Sequence, residues 1–284
     1  MKKIFFVLAI LSTVCSYAQK DGKIILNKGQ KITIVSSSSS NTDMPMGMTM
    51  KTDNTTTNVL AVIDADDKNY SITNTITKLK MSMDMMGEAT NYDSEKPEDK
   101  NSDMGKAMSE KLNLADTVSV DKKTGNLATT NKKANSPERP DKADDSNPFE
   151  GILSSMGGDR AGDAIVEGTF FILPKDKKIG DNWTDSSTEN NMTTKKTYTI
   201  KSIEKDIATI TVTGTLAGDG TTEMQGTSIS YHIETKSTGE MIVDIKKGLV
   251  NKNTSEIDMT ATMDVMGQSM PMTSKGTYSV TYQY

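Results

Sequence analysis

Apolar and polar residues alternate along most of this chain. Tyr198-Thr199-Ile200-Lys201-Ser202-Ile203 and Ala208-Thr209-Ile210-Thr211-Val212-Thr213-Gly214-Thr215-Leu216 carry the pattern on either side of the polar break Glu204-Lys205-Asp206. Successive strand side chains point to opposite faces, so this predicts an antiparallel hairpin with one wet face. Comparable runs occupy Lys23 to Leu26, Lys31 to Val35, Ser228 to Ile233, Glu240 to Ile245, Ser255 to Met263 and Gly276 to Tyr284. Thr and Ser fill the polar positions, where Thr adds strand propensity and both tolerate a solvated sheet face. The expected fold is mainly β, with antiparallel sheets forming a curved open barrel or a sandwich.

Two internal similarities point to related β halves. Leu60, Ile63, Asp64, Asp66, Tyr70, Ile72 and Ile76 align without a gap with Ile200, Ile203, Glu204, Asp206, Ile210, Val212 and Leu216, and Met83-Asp84-Met85-Met86-Gly87-Glu88 resembles Met263-Asp264-Val265-Met266-Gly267-Gln268. Two hairpins with acidic turns would also align this way, so duplication stays one of two readings. Between the halves, Asn131 to Asn147 is polar with two prolines and reads as a flexible linker. The organisation expected is an N-terminal half over 19–130, the linker over 131–147 and a C-terminal half over 148–284. A short helix is expected from Pro148 to Met156, with Asn147 as N-cap. A second is expected between Asp103 and Leu114, where Met104, Met108 and Leu112 share a face.

Residues 1–18 read as a signal peptide: Lys2 and Lys3, the apolar run Ile4 to Leu11, then Ser16-Tyr17-Ala18 as a small-x-small exit. The chain is therefore expected to be exported, to the periplasm or the extracellular space. Val14 stands where a lipidation site before Cys15 calls for a small residue, and cleavage after Ala18 removes Cys15. The mature chain would then lack cysteine, and with it disulfides and any thiolate chemistry. Losing Lys2 and Lys3 takes the formal charge from −5 to −7. No basic stripe offsets it, which argues against nucleic acid and anionic membrane surfaces as partners. No transmembrane segment is expected, because no later run approaches the roughly 20 apolar residues a spanning helix needs.

Methionine is the conspicuous chemistry, with 20 in the chain. They concentrate in Met44-Pro-Met46-Gly-Met48-Thr-Met50, in Met81-Ser-Met83-Asp-Met85-Met86 and between Met259 and Met272. On a strand, period 2 places Met44, Met46, Met48 and Met50 in one apolar stripe, with Pro45 assigning that strand to an edge. Methionine fills irregular cavities and suits surfaces that fit variable apolar partners. The residues expected to line a ligand pocket are Met81, Met83, Met85, Met259 and Met263. Thioethers are also soft ligands that favour Cu(I), and M-x-M runs resemble the methionine-rich segments of periplasmic copper carriers. Copper sites often recruit histidine or cysteine as well. Here His232 stands alone, so packing or pocket lining outranks copper and no metal or cofactor is expected.

Catalytic constellations are poorly represented. Ser-His-Asp or Cys-His systems would have to rely on His232, and no G-x-S-x-G elbow precedes a helix. His232 lies between Tyr231 and Ile233, which point to the opposite face, so it reads as a histidine on a wet strand face. Asp64-Ala65-Asp66-Asp67-Lys68-Asn69 lacks the glycine and distal glutamate of a calcium loop and reads as a hairpin turn. Asp116-Thr117-Val118 looks like the acceptor used in bacterial periplasmic O-glycosylation. Tyr278, Val280, Tyr282 and Tyr284 alternate like a barrel-insertion signal, but 5% aromatic content and polar strands argue against an outer-membrane barrel. The chain is expected not to be an enzyme.

The segment Phe170-Phe171-Ile172-Leu173-Pro174-Lys175-Asp176-Lys177-Lys178-Ile179-Gly180-Asp181-Asn182-Trp183 resembles an uncharacterised family of exported bacterial β proteins known as a domain of unknown function. The similarity extends more weakly to Lys28-Gly29-Gln30-Lys31, the Met-Gly strands and Val118 to Gly125. The resemblance implies a secreted, non-catalytic β scaffold with no functional residues to transfer. Within the segment, Pro174 ends a strand, Gly180 permits a turn and Trp183 is a packing anchor. The functional expectation is an exported β protein that binds or carries an apolar small molecule or lipid in the cell envelope. The first alternative is a structural or protein-interaction module with an envelope protein partner, and the second is Cu(I) binding through the Met-rich strands.

Overall fold

The computed structural model describes residues 22–102, 105–106, 108, 112–128, 160–189, 191–224, 227–265 and 267–284. The expected signal peptide, linker and Pro148 to Met156 helix lie outside them. The strands are β1 (Lys31–Asp43), β2 (Thr49–Ala65), β3 (Asn69–Met85), β4 (Glu88–Asp93), β5 (Ala115–Asp121), β6 (Asn182–Glu189), β7 (Met192–Glu204), β8 (Ile207–Met224), β9 (Thr227–Asp244), β10 (Leu249–Val265) and β11 (Gln268–Gln283). They form one antiparallel 11-stranded sheet in the order β4-β3-β2-β1-β11-β10-β9-β8-β7-β6, with β5 also on β3. β5 pairs with Asn69 to Thr75 and β4 with Lys80 to Met85, so the two share the outer edge of one long strand. Among the described residues the uninterrupted α-helices are α1 (Pro97–Lys100) and α2 (Arg160–Glu167). Of the Asp103 to Leu114 stretch, residues 105, 106 and 108 are helical, and Met108 is buried.

The sheet is a curved, unclosed one. The amides of Ile24 and Ile25 donate to the carbonyls of Lys122 and Lys247, at 2.8 and 3.0 Å. Adjacent amides confine those two carbonyls to within about 10 Å of each other. Five steps across a flat sheet, from β5 to β10, would separate them by roughly 24 Å. The sheet therefore rolls at this end, and residues 22–26 span the inside of the roll. Lys23 to Leu26 is an irregular segment rather than a ladder strand, because its amides are used to bridge two distant parts of the sheet. Tyr70 fastens it: its hydroxyl donates to the Ile24 carbonyl at 3.2 Å and accepts from the Leu26 amide at 3.1 Å.

The core fills this rolled end. Ile32 and Ile34 of β1, Leu60 and Val62 of β2, Ile72 of β3, Ile200 of β7, Ile210 of β8 and Val243 of β9 are all buried, and alternate positions of each strand supply them. Ile24, Leu26, Val166, Phe170 and Leu173 pack against them as an inner plug, with Val120 of β5 in the wall around it. α2 crosses the plug and is held at both ends. Asn74 Nδ2 donates to the Gly162 carbonyl near its start, and the buried Tyr282 hydroxyl donates to the Gly168 carbonyl just beyond its end, at 2.8 Å. Trp183 stacks on Tyr198 at 5.3 Å between ring centroids, and Phe171 packs against both, extending the plug over β6 and β7. Gly125 sits at φ +78, where a Cβ would lie 2.7 Å from Phe170 Cβ, so the turn after β5 approaches the plug closely.

At the opposite end the strands meet in hairpins. Met85 pairs with Glu88 around a two-residue turn in which Met86 (φ 57) and Gly87 (φ 89) are both left-handed, and Asp84 accepts from the Gly87 amide at 2.9 Å. The β10–β11 turn repeats the bond, with Asp264 accepting from the Gly267 amide at 2.9 Å. The β1–β2 connection is a 3-10 turn over Pro45–Gly47 with Met46 at φ 63. This corrects the expected Met44 to Met50 edge strand: Pro45 ends β1 inside a turn, and β1 and β2 are central strands.

Tyr70→Phe leaves the buried Leu26 amide and Ile24 carbonyl without their partner and is expected to cost about 1–3 kcal/mol, read as a lower urea midpoint at unchanged slope. Met86→Asn places a residue suited to left-handed φ in the β3–β4 turn and is expected to stabilise by roughly 1 kcal/mol, read as a raised melting temperature.

Candidate functional site

The ladders allow each row of the sheet to be followed from strand to strand, because directly opposite residues share a face. The core residues of β1, β2 and β3 continue outward as Ser36, Ser38, Ser40 and Thr42; as Asn58, Thr56, Asn54, Thr52 and Met50; and, past a bulge at Thr77, as Leu79, Met81, Met83 and Met85. Those of β11, β10 and β9 continue as Tyr278, Gly276, Ser274, Met272 and Met270; as Ser255, Ile257, Met259, Ala261 and Met263; and as Gly239, Ser237, Thr235, Ile233 and Tyr231. On this face β1, β2, β3, β8, β9, β10 and β11 carry no charged residue among the described side chains. Among the described side chains, charge enters it on the flanking strands, as Glu88, Asp116, Asp185 and Lys196.

The opposite face carries most of the charge of these strands, with a few apolar residues such as Val35, Val59 and Ile242 among polar ones. One of its rows runs Asp84, Lys51, Asn41, Lys275, Asp258, Lys236, Thr215 and Lys195 across eight strands. Two open, polar depressions lie on it, one beside Asp219, His232 and Asp264 and the other beside Lys51, Asp53, Glu256 and Lys275. His232 lies there as expected. Its Nδ1 is 2.8 Å from an Asp219 oxygen, and that bond, with Glu234 on the other side, raises its pKa. Among the described residues no group of three or more His, Cys, Asp and Glu side chains is placed to hold a metal ion.

The uncharged face is the concave one. At Gly239 a Cβ would lie 1.9 Å from the Thr254 carbonyl oxygen, and at Gly276 one would lie 2.8 Å from that of Ser39. The neighbouring backbone rises over this face at both positions, which only glycine accommodates. Ser38, Ser40, Ser237, Ser255 and Ser274 adjoin them, leaving a shallow trough. A polar spine runs down its middle: Ser36 and Thr56 hydroxyls bond at 2.5 Å, and Asn58 Nδ2 donates to Asn74 Oδ1 at 2.9 Å. The side-chain oxygens of Asn54 and Asn58 are buried with no donor among the described residues.

All five expected pocket residues fall on the concave face, in two groups. Met81 is buried against Tyr92 and Met108 and serves as packing. Met83 is half-buried, Met85 is 40% exposed, and Met259 and Met263 are half-buried on β10. They line an open face, because no second sheet covers it among the described residues. Met85 and Met259 lie in one row, through Met50, Thr42 and Ser274. Met50, Met270 and Met272 belong to the same surface, and Met44 and Met48 continue it past the last rungs of β1 and β2. Strand parity counted from a core residue, such as Leu60 to Met50, would have identified Met50. The small residues of the trough gave no comparable signal. Tyr278 is half-buried on this face, and burial raises the pKa of its hydroxyl.

No helix among the described residues is long and apolar enough to cross a membrane. No curated protein matches the sequence. Among solved structures, one of lipovitellin, determined for lipid–protein interactions, matches with a TM-score of 0.50 at 10% identity over 92% of this chain. This chain spans about a quarter of that one, 26%. At that identity the likeness is one of fold. An outer membrane channel from Pseudomonas putida F1 matches with a TM-score of 0.26 at 10% identity, covering 92% of this chain and 97% of the channel. A family model described as a family of unknown function (DUF6263) matches residues 67–250, from the β2–β3 turn to the start of β10, and the chain belongs to that family.

Proposed function

We propose that this chain is an exported, non-catalytic binding protein that holds an apolar or amphipathic ligand of the lipid class against its concave face, in the cell envelope or outside the cell. The observation that carries the reading is the partition of charge: seven adjacent central strands present an uncharged concave face, while the charged residues of those same strands lie on the convex one. Solvation alone gives no reason for that asymmetry at the end of the sheet that no core covers. The polar spine along β1 and β2 suits a ligand with a polar head as well as an apolar chain. The lipovitellin structure concerns lipid–protein interactions, and its similar chain path is compatible with such a role.

Magnitudes favour a long ligand. Each methylene removed from water gains about 0.8 kcal/mol, so about ten give a gross 8 kcal/mol. Association itself costs an estimated 4–15 kcal/mol, so a short apolar molecule would not be retained. Methionine thioethers and small residues adapt to a flexible chain better than a rigid aliphatic lining does.

Ile257 is half-buried at the centre of the concave face, whereas Thr238 is exposed on the convex face. Ile257→Lys is expected to abolish retention of a fluorescent long-chain fatty acid while Thr238→Lys leaves it unchanged, measured by titration on folded protein. Equal retention by both variants would remove the concave face as the binding surface. Native mass spectrometry of the protein taken from its own envelope is expected to show a lipid-sized adduct that organic extraction releases.

A further inference from the structure

We infer that the hairpin end of the concave face binds a soft monovalent metal ion of the Cu(I) or Ag(I) class through the thioethers of Met48, Met50, Met83 and Met85. Met50 of β2 lies directly opposite Met85 of β3, and Met83 is opposite Thr52, the next position along β2 on the same face. Directly opposite residues have Cβ atoms about 4.5–5.5 Å apart and diagonal ones about 7–8 Å, within reach of unbranched side chains with three rotatable bonds. Met48 has extended backbone and precedes Thr49 at the start of β2, so it continues the Met50 side of the strand.

The donor set selects the ion. Thioethers are soft and neutral, a combination that favours Cu(I) over hard divalent cations and leaves a bound monovalent charge uncompensated by its ligands. Glu88 of β4 stands directly opposite Met85 on the same face. Its carboxylate places one negative charge beside the thioethers. The strands carrying Met48, Met50, Met83 and Met85 bring no other charge to this face, so little competes for a hard cation.

Packing does not account for these four. Met81, one position further from the turn on the same face, is 9% exposed among Tyr92 and Met108, as a packing methionine should be. Met85 is 40% exposed, and Met48, Met50 and Met83 are half-buried. An ion can therefore reach them without the fold opening. The inference stands apart from the lipid reading, since leucine in place of methionine keeps an apolar surface and removes the sulfur.

The test is native mass spectrometry of the full chain with one equivalent of Ag(I) in chloride-free buffer, with anaerobic competition against the Cu(I)–bicinchoninate complex. One ion per chain is expected. Met50→Leu with Met85→Leu is expected to weaken binding beyond the roughly 10–100-fold seen when an outer-shell partner is lost, because ligands themselves are removed. Melting temperature should stay at the wild-type level, since Leu and Met are close in volume. Met46→Leu alters a thioether that is 91% exposed at the turn and should leave metal binding unchanged. If the double variant melts early, Met85→Leu alone reads the same loss. Failure of the wild type to hold Ag(I) or Cu(I), or undiminished binding by the leucine variants, overturns the inference, and neither outcome bears on fatty-acid retention.

Discussion

The pairing of β1 with β11 holds the molecule together as one object. It runs from Thr33 opposite Gln283 to Asp43 opposite Thr273 and joins the first and last strands of the chain at the middle of the sheet. Without it, β1 to β5 and β6 to β11 would form two separate antiparallel sheets, each with an additional unpaired edge. With it, the concave face is continuous, and the row from Met85 to Met259 crosses the junction without a break in register. The Tyr282 hydroxyl, three residues after Ser279 on β11, ties the same junction to the plug through the Gly168 carbonyl.

Much of the fold was legible because alternation reports a half-wet antiparallel strand directly. The β7–β8 hairpin turns at Lys205 and Asp206 and the β2–β3 hairpin turns within Asp64 to Asn69, as read from the residues. Strand length was harder to read. Ser228 to Ile233 and Glu240 to Ile245 read as two runs because Thr235, Ser237 and Gly239 between them show no apolar period, yet they are the concave face of one strand, β9. The trough calls for small residues there, and small residues erase the pattern. Met44 to Met50 misled in the opposite way. Its period of 2 mimics a strand, while Pro45 and Gly47 form a turn that projects Met46 into solvent and leaves its neighbours on the sheet.

The internal similarities have structural counterparts. Met83 to Glu88 and Met263 to Gln268 both span hairpin turns at the same end of the sheet, each with an aspartate accepting from a left-handed glycine. That chemistry needs Asp and Gly at fixed spacing and is sufficient to explain the match. The longer alignment superimposes Leu60 to Ile76 on Ile200 to Leu216, two hairpins that turn at the core end. Both have a bulge in the strand entering the turn, between Val62 and Asp64 in β2 and between Ile200 and Ser202 in β7. Among the methionines, parity was readable from sequence, whereas the meeting of β2 with β3 depends on long-range register.

Because roughly two hundred residues separate the end of β2 from the start of β11, the pairing of β1 with β11 is slow to form, and the folding chain holds β1 with one side unpaired until then. An apolar strand in that position would invite pairing with another chain. Ser36 to Ser40 occupies the middle of β1. Five consecutive serines give that waiting edge little to offer a stranger, so Ser36, Ser38 and Ser40, which floor the finished trough, act earlier with Ser37 and Ser39 as a safeguard against aggregation.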